Sequence, residues 1–257
     1  MDTAGLVVFS RNAGVSEVVT LEGVATGSSP GFSLSRHLGC ALSSPDVSGC
    51  WVAGPALQPQ VVARMGHLNG PLIWQIRSLH VAGNATFEVS ETLALLAREA
   101  AASGAFHVNC RVAEDSPILE AAQRAGFVQS RMEFLYLLPV GEGPRDGAVD
   151  SEAAKLGLRR RMPSDDMAIF RLYSAATPME VRTHAGMTID EWVSGIESPS
   201  MTAREYVLER ESQIDAWIRI FDSETTRYFE IMVHPDSHES VPPLLECAVA
   251  GSGSKVA

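Results

Sequence analysis

Cysteine is scarce in this sequence of 257 residues, and the cysteines lie far apart. Cys40, Cys50, Cys110 and Cys247 form no CxxC pair. A zinc ribbon needs closely paired cysteines, and a small secreted domain held together by disulfides needs them at higher density. We therefore expect neither class of protein. We expect a reducing compartment, which indicates a cytoplasmic protein.

Basic residues are also few, since 20 lysines and arginines stand against 31 aspartates and glutamates. The net charge of −11 disfavours binding of a polyphosphate, so we expect no nucleic-acid partner. Long apolar runs are missing as well, because none approaches the ~20 residues of a membrane-spanning helix. The first residues have neither the basic region nor the apolar core of a signal peptide. We expect no membrane partner and no export signal.

The histidines lack the spacing of a metal site. His234 and His238 flank Asp236, but Pro235 opposes the helix that would bring them to one face, and no third ligand is evident. A solvated loop between a strand and a helix is the simpler interpretation. We predict no metal.

Apolar residues are plentiful, at 46% beside 20% charged residues, which is typical of a globular chain. Composition changes over residues 139–157, where glycine, proline and acidic residues replace the apolar periodicity. We interpret this stretch as a linker between a first domain, residues 1–138, and a second domain, residues 158–257. Each has the size of a small domain.

The first domain alternates strands and helices. Two apolar runs within residues 60–81 are separated by Asn69 and Gly70, a strong signal for a hairpin turn. The pattern then predicts a helix over residues 92–103, a strand over 105–112, a helix over 116–126 with Ser116 as its cap, and a strand over 132–138.

The second domain shows a similar alternation. It begins with a short run, residues 158–163, that suits an edge strand. The pattern then predicts a helix capped by Ser164, helices over residues 178–185 and from 188, strands over 205–209, 214–221 and 228–233, and a helix over 242–250.

Several segments of the two domains carry a recognisable pattern. The first domain contains the strand SLHV, the helix LALLAREAAASGA, the strand FHVNCRV and the helix SPILEAAQRAGF, which ends in Ala-Gly-Phe. The second domain contains LRRRMPSDDMAIFRLYSAATPMEV, WIRIF and YFEIMVHPDSHESVPPLLECAV. Together these segments resemble the GNAT superfamily of acetyl-CoA-dependent N-acetyltransferases. The first segment of the second domain resembles the first strand and helix of the family, and the other two resemble its central strands and main helix.

The resemblance implies an α/β (α+β) fold with a mixed, mostly antiparallel central sheet flanked by helices, in tandem and with an incomplete second copy. It implies that acetyl-CoA is a substrate and that an acyl group passes to an amine of a small molecule or peptide. Strand backbone, rather than one side chain, would position the thioester. The coenzyme A contacts implied are Ser78, Leu79, His80 and Val81, or Ile231, Met232 and Val233 in the second domain.

The resemblance also implies an acid or a base near the thioester, commonly a tyrosine on the helix after the fifth strand. Ala122 holds that position here, and Asp115 matches an asparagine that often precedes the helix. The candidate catalytic residues are therefore Asp115 and Tyr136, the latter on the last predicted strand.

Two loops correspond to the glycine-rich loop that holds the pyrophosphate in the family. Residues 86–91, TFEVSE, carry side chains in place of glycine and two carboxylates near the expected phosphates. Residues 238–243, HESVPP, contain no glycine and two prolines without N–H donors. Because a pyrophosphate needs close approach to backbone N–H groups and no nearby anion, we expect neither loop to be a good anion cradle.

These departures leave an alternative function, a catalytically inactive module that binds acyl-CoA or another protein. A third interpretation keeps only the architecture, as a dimerising scaffold. The second domain stops before the further strand, helix and strand that the resemblance implies. Either the chain is truncated or a partner, such as a second copy in a homo-oligomer, covers the open sheet edge.

Cys110 is another candidate nucleophile. It lies three residues from His107 on a predicted strand, so the two side chains point to opposite faces. Buried free cysteines are common in protein cores. We interpret Cys110 as a packing residue.

Overall fold

A computed structural model of the protein describes residues 3–11, 13–25, 31–41, 48–55, 58–83, 85–134, 148–197, 203–222 and 227–250. The chain divides into two units. The first comprises Met1–Ser130 and Asp190–Glu197, and the second comprises Arg131–Ile189 and Ser198–Ala257.

The described residues form helices α1 (Thr3–Ser10), α2 (Leu21–Ala25), α3 (Leu34–Ala41), α4 (Thr86–Ala102), α5 (Leu119–Arg124), α6 (Ala148–Lys155), α7 (Asp166–Ala176), α8 (Met179–Ala185), α9 (Ile189–Gly195) and α10 (Val241–Val249). The strands are β1 (Ser48–Ala53), β2 (Val61–His67), β3 (Ile73–Val81), β4 (His107–Asn109), β5 (Leu158–Arg160), β6 (Ala203–Arg210), β7 (Gln213–Asp222) and β8 (Arg227–Val233). Short 3₁₀ turns, Pro163–Asp165 and His238–Ser240, precede α7 and α10.

The sheet of the first unit is mixed. Its strands have the order β1-β2-β3-β4, with β1, β2 and β3 antiparallel and β4 parallel to β3 after the crossover helix α4. The Leu68 N–H donates to the Ile73 carbonyl across the turn between β2 and β3. The hairpin predicted from the sequence is therefore confirmed.

Helix α4 covers one face of this sheet. Side chains alternate between the faces of a strand, so every second residue of β2 contacts the helix. The buried cluster joins Val61, Ala63 and Met65 of β2 with residues of α4 that recur at helical spacing, Val89, Leu93, Leu96 and Ala100.

Helix α4 begins at Thr86, whereas the sequence analysis begins it at residue 92 and assigns residues 86–91 to a loop. That assignment is wrong because Val89, Leu93 and Leu96 form one continuous buried stripe. The carboxylate of Glu88 lies in the first turn of the helix, where the helix dipole favours negative charge.

Helix α9 belongs to the first unit although its residues fall within the predicted second domain. The Asn69 N–H donates to the Ser194 carbonyl at 3.0 Å, and its side-chain amide donates to the Val193 carbonyl at 3.1 Å. A Cβ at Gly70 would lie 2.5 Å from the Ser194 hydroxyl oxygen. Glycine at position 70 therefore makes the turn and also permits this contact.

The sheet of the second unit is antiparallel, in the order β5-β6-β7-β8. Helices α6 and α10 supply the buried Val149, Ala153, Leu244 and Cys247 to its core, and α7 packs against β7 and β8. The predicted strands and the helices over 178–185, from 188 and over 242–250 are confirmed to within a few residues. The edge strand predicted over residues 158–163 is shorter and ends at Arg160. In both units helices flank the sheets, so the predicted fold class, mixed and mostly antiparallel, is confirmed.

Several element boundaries differ from the sequence analysis. Residues 148–155, assigned to the linker, form α6, because the buried pair Val149 and Ala153 is spaced one helical turn apart. Residues 131–134 are exposed and irregular, so the start of the predicted strand at 132–138 is wrong, and the rest of it lies outside the described residues.

Two predicted caps are also wrong. Helix α5 starts at Leu119, after the turn that contains Ser116. Ser164 lies in the 3₁₀ turn before α7, and there the Asp165 carboxylate accepts the Met162 N–H at 2.7 Å.

Candidate functional site

Strands β3 and β4 pair over only part of their possible length. Ile73, Trp74 and Gln75 face His107, Val108 and Asn109 in parallel register, and β4 then ends. Strand β3 continues to Val81, and Arg77 forms a bulge against β2, since Met65 pairs with Ile76 and Arg64 with Ser78. A gap therefore opens between the second half of β3 and the chain that follows β4.

Four residues near the start of the chain, Ser16 to Val19, lie in this gap, and we call them the strap. The Leu79 N–H donates to the Ser16 hydroxyl at 3.1 Å, and the Leu79 carbonyl accepts the Glu17 N–H at 2.9 Å. The strap thus uses both backbone groups of one residue of β3, as an added strand would.

The strap also contacts the chain after β4. Val18 forms an antiparallel bridge with Val112, and the Val19 N–H donates to the Arg111 carbonyl at 2.8 Å. The Ser116 hydroxyl donates to the Glu17 carboxylate at 3.3 Å. Val18 is 2% exposed and belongs to the buried cluster of the first unit. The strap is therefore a packed element of this unit.

The face of β3 that points away from α4 carries a line of buried polar side chains. Ser78 and His80 are 3% and 1% exposed, and Arg64 of β2 is the direct cross-strand partner of Ser78. Within the described part of the chain, the Ser78 hydroxyl and the buried Nε of Arg64 have no hydrogen-bond partner. Three polar groups, one of them charged, are thus held beside the gap.

His80 packs in an aromatic cluster with Phe32 and His37. Nδ1 of His80 lies 3.1 Å from the Gly14 carbonyl, and Nδ1 of His37 lies 2.7 Å from the Ser33 carbonyl. A carbonyl accepts only, so each Nδ1 carries a proton. The neutral form of His80 then keeps a lone pair on Nε2. Burial lowers the pKa of His80, and the nearby Arg64 lowers it further, against the opposing effect of the bond to Gly14.

We expect the first unit to lose stability when the pH falls below the ordinary pKa of histidine, about 6.5. The folded pKa of His80 lies below the unfolded one, so the unfolded state binds more protons in this window. The stabilisation is complete above the window and is lost as the pH falls through it. Hydrogen exchange of peptides from β2 and β3 measures this loss.

The variant His80→Asn keeps a donor for the Gly14 carbonyl and removes the titrating ring, so we expect a flatter pH profile. His184→Asn, at an exposed position of α8, is the matched control and should retain the wild-type profile. An unchanged profile in His80→Asn would contradict the assignment.

The second unit carries a stronger polar cluster on β7 and β8. Arg219, 3% exposed, donates to the Glu230 carboxylate at 2.9 Å. Glu230 also accepts the Tyr228 hydroxyl at 2.8 Å. The Arg219 guanidinium lies over the rings of Trp217 and Phe221, at 5.5 and 4.7 Å from their centroids. This cluster is a set of paired charges inside the unit.

The proposed coenzyme A contacts fall on two strands. Ser78, Leu79, His80 and Val81 lie on the second half of β3, beside the strap, and Ile231, Met232 and Val233 lie on β8. Strand β8 is the last strand of its sheet in the residues that the structure describes. Their role in binding coenzyme A stays a prediction.

The roles of the two candidate catalytic residues stay predictions. Asp115 is exposed in the turn before α5, and Tyr136 lies outside the described residues.

Sequence reasoning missed Arg64, His37 and the strap. Arg64 gave one signal, a charge inside the apolar run VVARM, which an alternating strand places on the face opposite Ala63.

The first turns of α4 and α10 offer little to an anion. Glu88 lies in the first turn of α4, and Pro242 and Pro243 lie in the first turn of α10. A carboxylate repels a phosphate, and a proline supplies no N–H.

Cys110 is suited to packing. Burial raises the pKa of its thiol to about 12, although Arg111 opposes the shift. At neutral pH the thiolate, the form that attacks, is almost absent. This result agrees with the interpretation of Cys110 as a packing residue.

Across the described residues, no group of three or more His, Cys, Asp or Glu side chains is placed to hold a metal ion. In the same residues, no helix combines the length and apolar character needed to span a bilayer.

Comparisons with known proteins give matches among solved structures only. No protein-family model matches the chain, and no curated protein matches it significantly. Solved structures that match include the C-terminal domain of a "putative lysylphosphatidylglycerol synthetase" from Agrobacterium fabrum. That match is 12% identical, covers 84% of this chain and 72% of the other, and has a TM-score of 0.27. At this similarity it carries no functional argument.

Proposed function

We propose that the protein is an acyltransferase of the GNAT type, which transfers an acyl group from acyl-CoA to an amine of a small molecule or peptide. The gap beside β3 is the observation that carries this proposal. A strand that diverges from its parallel neighbour offers backbone N–H and carbonyl groups to an extended arm, and pantetheine is such an arm. Leu79 has both groups directed into the gap.

The reaction needs a base for the amine. The amine nitrogen attacks the thioester carbonyl carbon, the C–S bond breaks, and the coenzyme A thiolate leaves and takes up a proton. His80 is next to Leu79 on β3, and its neutral ring has a free lone pair on Nε2. A group of this kind accepts the proton that the amine loses.

A second function is favoured by the strap. In this structure the chain's own residues occupy the backbone of Leu79, and the first turns of α4 and α10 suit phosphates poorly. A non-catalytic module of this fold, with the gap closed by its own strap, would have these features. The second function transfers no acyl group.

Calorimetric titration of the full chain with acetyl-CoA tests the proposal. Because the strap occupies the gap, we expect weak binding by the wild type and at least tenfold tighter binding by Glu17→Pro. Proline removes the N–H that the Leu79 carbonyl accepts. Val15→Ala, at an exposed position outside the strap, is the control and should bind as the wild type does.

Turnover separates the two functions. Incubation of Glu17→Pro and wild type with acetyl-CoA and a panel of amines should release free coenzyme A, detected by chromatography. Binding without release in any mixture would favour the non-catalytic module. If neither protein gives heat at about millimolar acetyl-CoA, binding is weaker than about −4 kcal/mol. That result would overturn the acyltransferase and any module that binds acyl-CoA.

A further inference from the structure

The pairing of β2 with β3 and the pairing of β7 with β8 follow the same pattern. In the first unit Val61 pairs with Val81, Val62 with His80, Ala63 with Leu79 and Arg64 with Ser78. In the second unit Ala216 pairs with Val233, Trp217 with Met232, Ile218 with Ile231 and Arg219 with Glu230. Both middle strands thus place an arginine at the same step, on the face opposite the buried clusters that contain Ala63 and Ile218.

The residue opposite the arginine differs between the units. Arg219 faces Glu230 and donates to its carboxylate at 2.9 Å, with Glu205 at 3.9 Å on the other side. Arg64 faces Ser78, a neutral residue with a shorter side chain. The second unit therefore supplies internally a carboxylate that the first unit lacks at this step.

Within the described residues, Arg64 and Ser78 also lack other hydrogen-bond partners. Among the residues that the structure describes, Arg64 has no ion pair, and its Nε is buried without an acceptor. Ser78 is 3% exposed, and its hydroxyl has no partner among those residues either. A buried hydrogen-bond donor without an acceptor costs free energy of folding, and a bound acceptor removes this cost.

We propose that the first unit binds a ligand carboxylate between Arg64 and Ser78, at the place where the second unit holds Glu230. The guanidinium would donate to one carboxylate oxygen and the Ser78 hydroxyl to the other. This proposal does not depend on the proposed acyltransferase function. It implies that a ligand of the first unit carries a carboxylate.

The groups around Arg64 and Ser78 favour a ligand with a single negative charge. His80, on the same face of β3, has Nδ1–H bonded to Gly14 and stays neutral because of its burial. One guanidinium therefore faces the ligand without a second cation. A carboxylate matches this charge, whereas a phosphate dianion would be left with an uncompensated charge.

Titration with sodium acetate, against sodium chloride at the same ionic strength, tests the site. The readout is the ¹H–¹⁵N signal of the Arg64 Nε–H, assigned by its absence in Arg64→Met. We expect a saturable shift with wild type and at least a fivefold weaker affinity with Ser78→Ala. Arg98→Met, on the exposed side of α4, is the matched control and should titrate as the wild type does.

Ser78→Glu gives the first unit the carboxylate that the second unit has. We expect its Arg64 signal to resemble the acetate-bound position before any acetate is added, and acetate to cause no further shift. If this variant does not fold, wild type, Arg64→Met and Ser78→Ala decide the question. A wild-type signal that does not saturate, or that responds more strongly to inorganic phosphate than to acetate, would overturn the proposal.

Discussion

Replacing Arg219 by methionine lowers the free energy of unfolding of the second unit by about 3 kcal/mol. Methionine fills much of the volume of the arginine stem but cannot donate to Glu230. The change removes the guanidinium that contacts both Glu205 and Glu230. Both carboxylates are partly exposed, so water can hydrate them in the variant. The expected loss of stability is therefore at the lower end of the range for breaking a buried ion pair.

Hydrogen exchange of peptides from β6, β7 and β8 measures this loss, because it reports each unit separately in a chain with two units. A loss of about 3 kcal/mol corresponds to exchange of globally protected amides that is about 100-fold faster. Arg64→Met is the matched control at the same step of the other sheet. Because Arg64 has no partner in the described residues, we expect its peptides to change by less than about threefold. Equal losses in the two units would contradict the difference in pairing.

Replacing Val18 by aspartate displaces the strap from the gap. Val18 is 2% exposed among apolar side chains, and an aspartate there has to leave the core or be buried as an uncompensated charge. We expect a loss of about 3 kcal/mol in the first unit. The Leu79 amide should exchange about 100-fold faster, because its acceptor is the Ser16 hydroxyl of the strap.

Val15→Asp is the control for this substitution. It introduces the same charge three residues earlier, at a position that is 60% exposed. We expect the Leu79 amide to exchange at the wild-type rate in that variant. If the Leu79 amide exchanges at the same rate in both variants, the strap does not hold β3 in solution.

The elements that the sequence predicted well are those with local signals. The turn at Asn69 and Gly70 lies between two alternating runs, and both the residues and their spacing are visible within twenty positions. The three strands β6, β7 and β8 show the same alternation. Local patterns of this kind determine element type before any tertiary contact is known.

The strap could not be predicted in the same way. Ser16 and Glu17 bond to Leu79, more than sixty residues away, and their own neighbours show neither strand nor helix periodicity. The start of α4 was missed for a different reason, since residues 86–91 were interpreted through a family loop instead of their own apolar spacing.

The candidate site depends on register, which sequence alone left open. The segments VVARM and AWIRI each place an arginine in an apolar strand, and this much is visible in the chain. Whether the opposite residue is a serine or a glutamate follows only from the pairing of β2 with β3 and of β7 with β8. A shift of one residue would have reversed the faces.

The membership of α9 in the first unit bears on the order in which the chain can fold. The turn at Asn69 bonds to Ser194, and Arg111 forms an ion pair with Glu197 at 2.6 Å. During synthesis these partners emerge only after much of the second unit's sequence has been made. The first unit therefore cannot reach its final state while the ribosome is still translating residues 131–189, and a fragment that stops at Ser130 lacks part of its own surface.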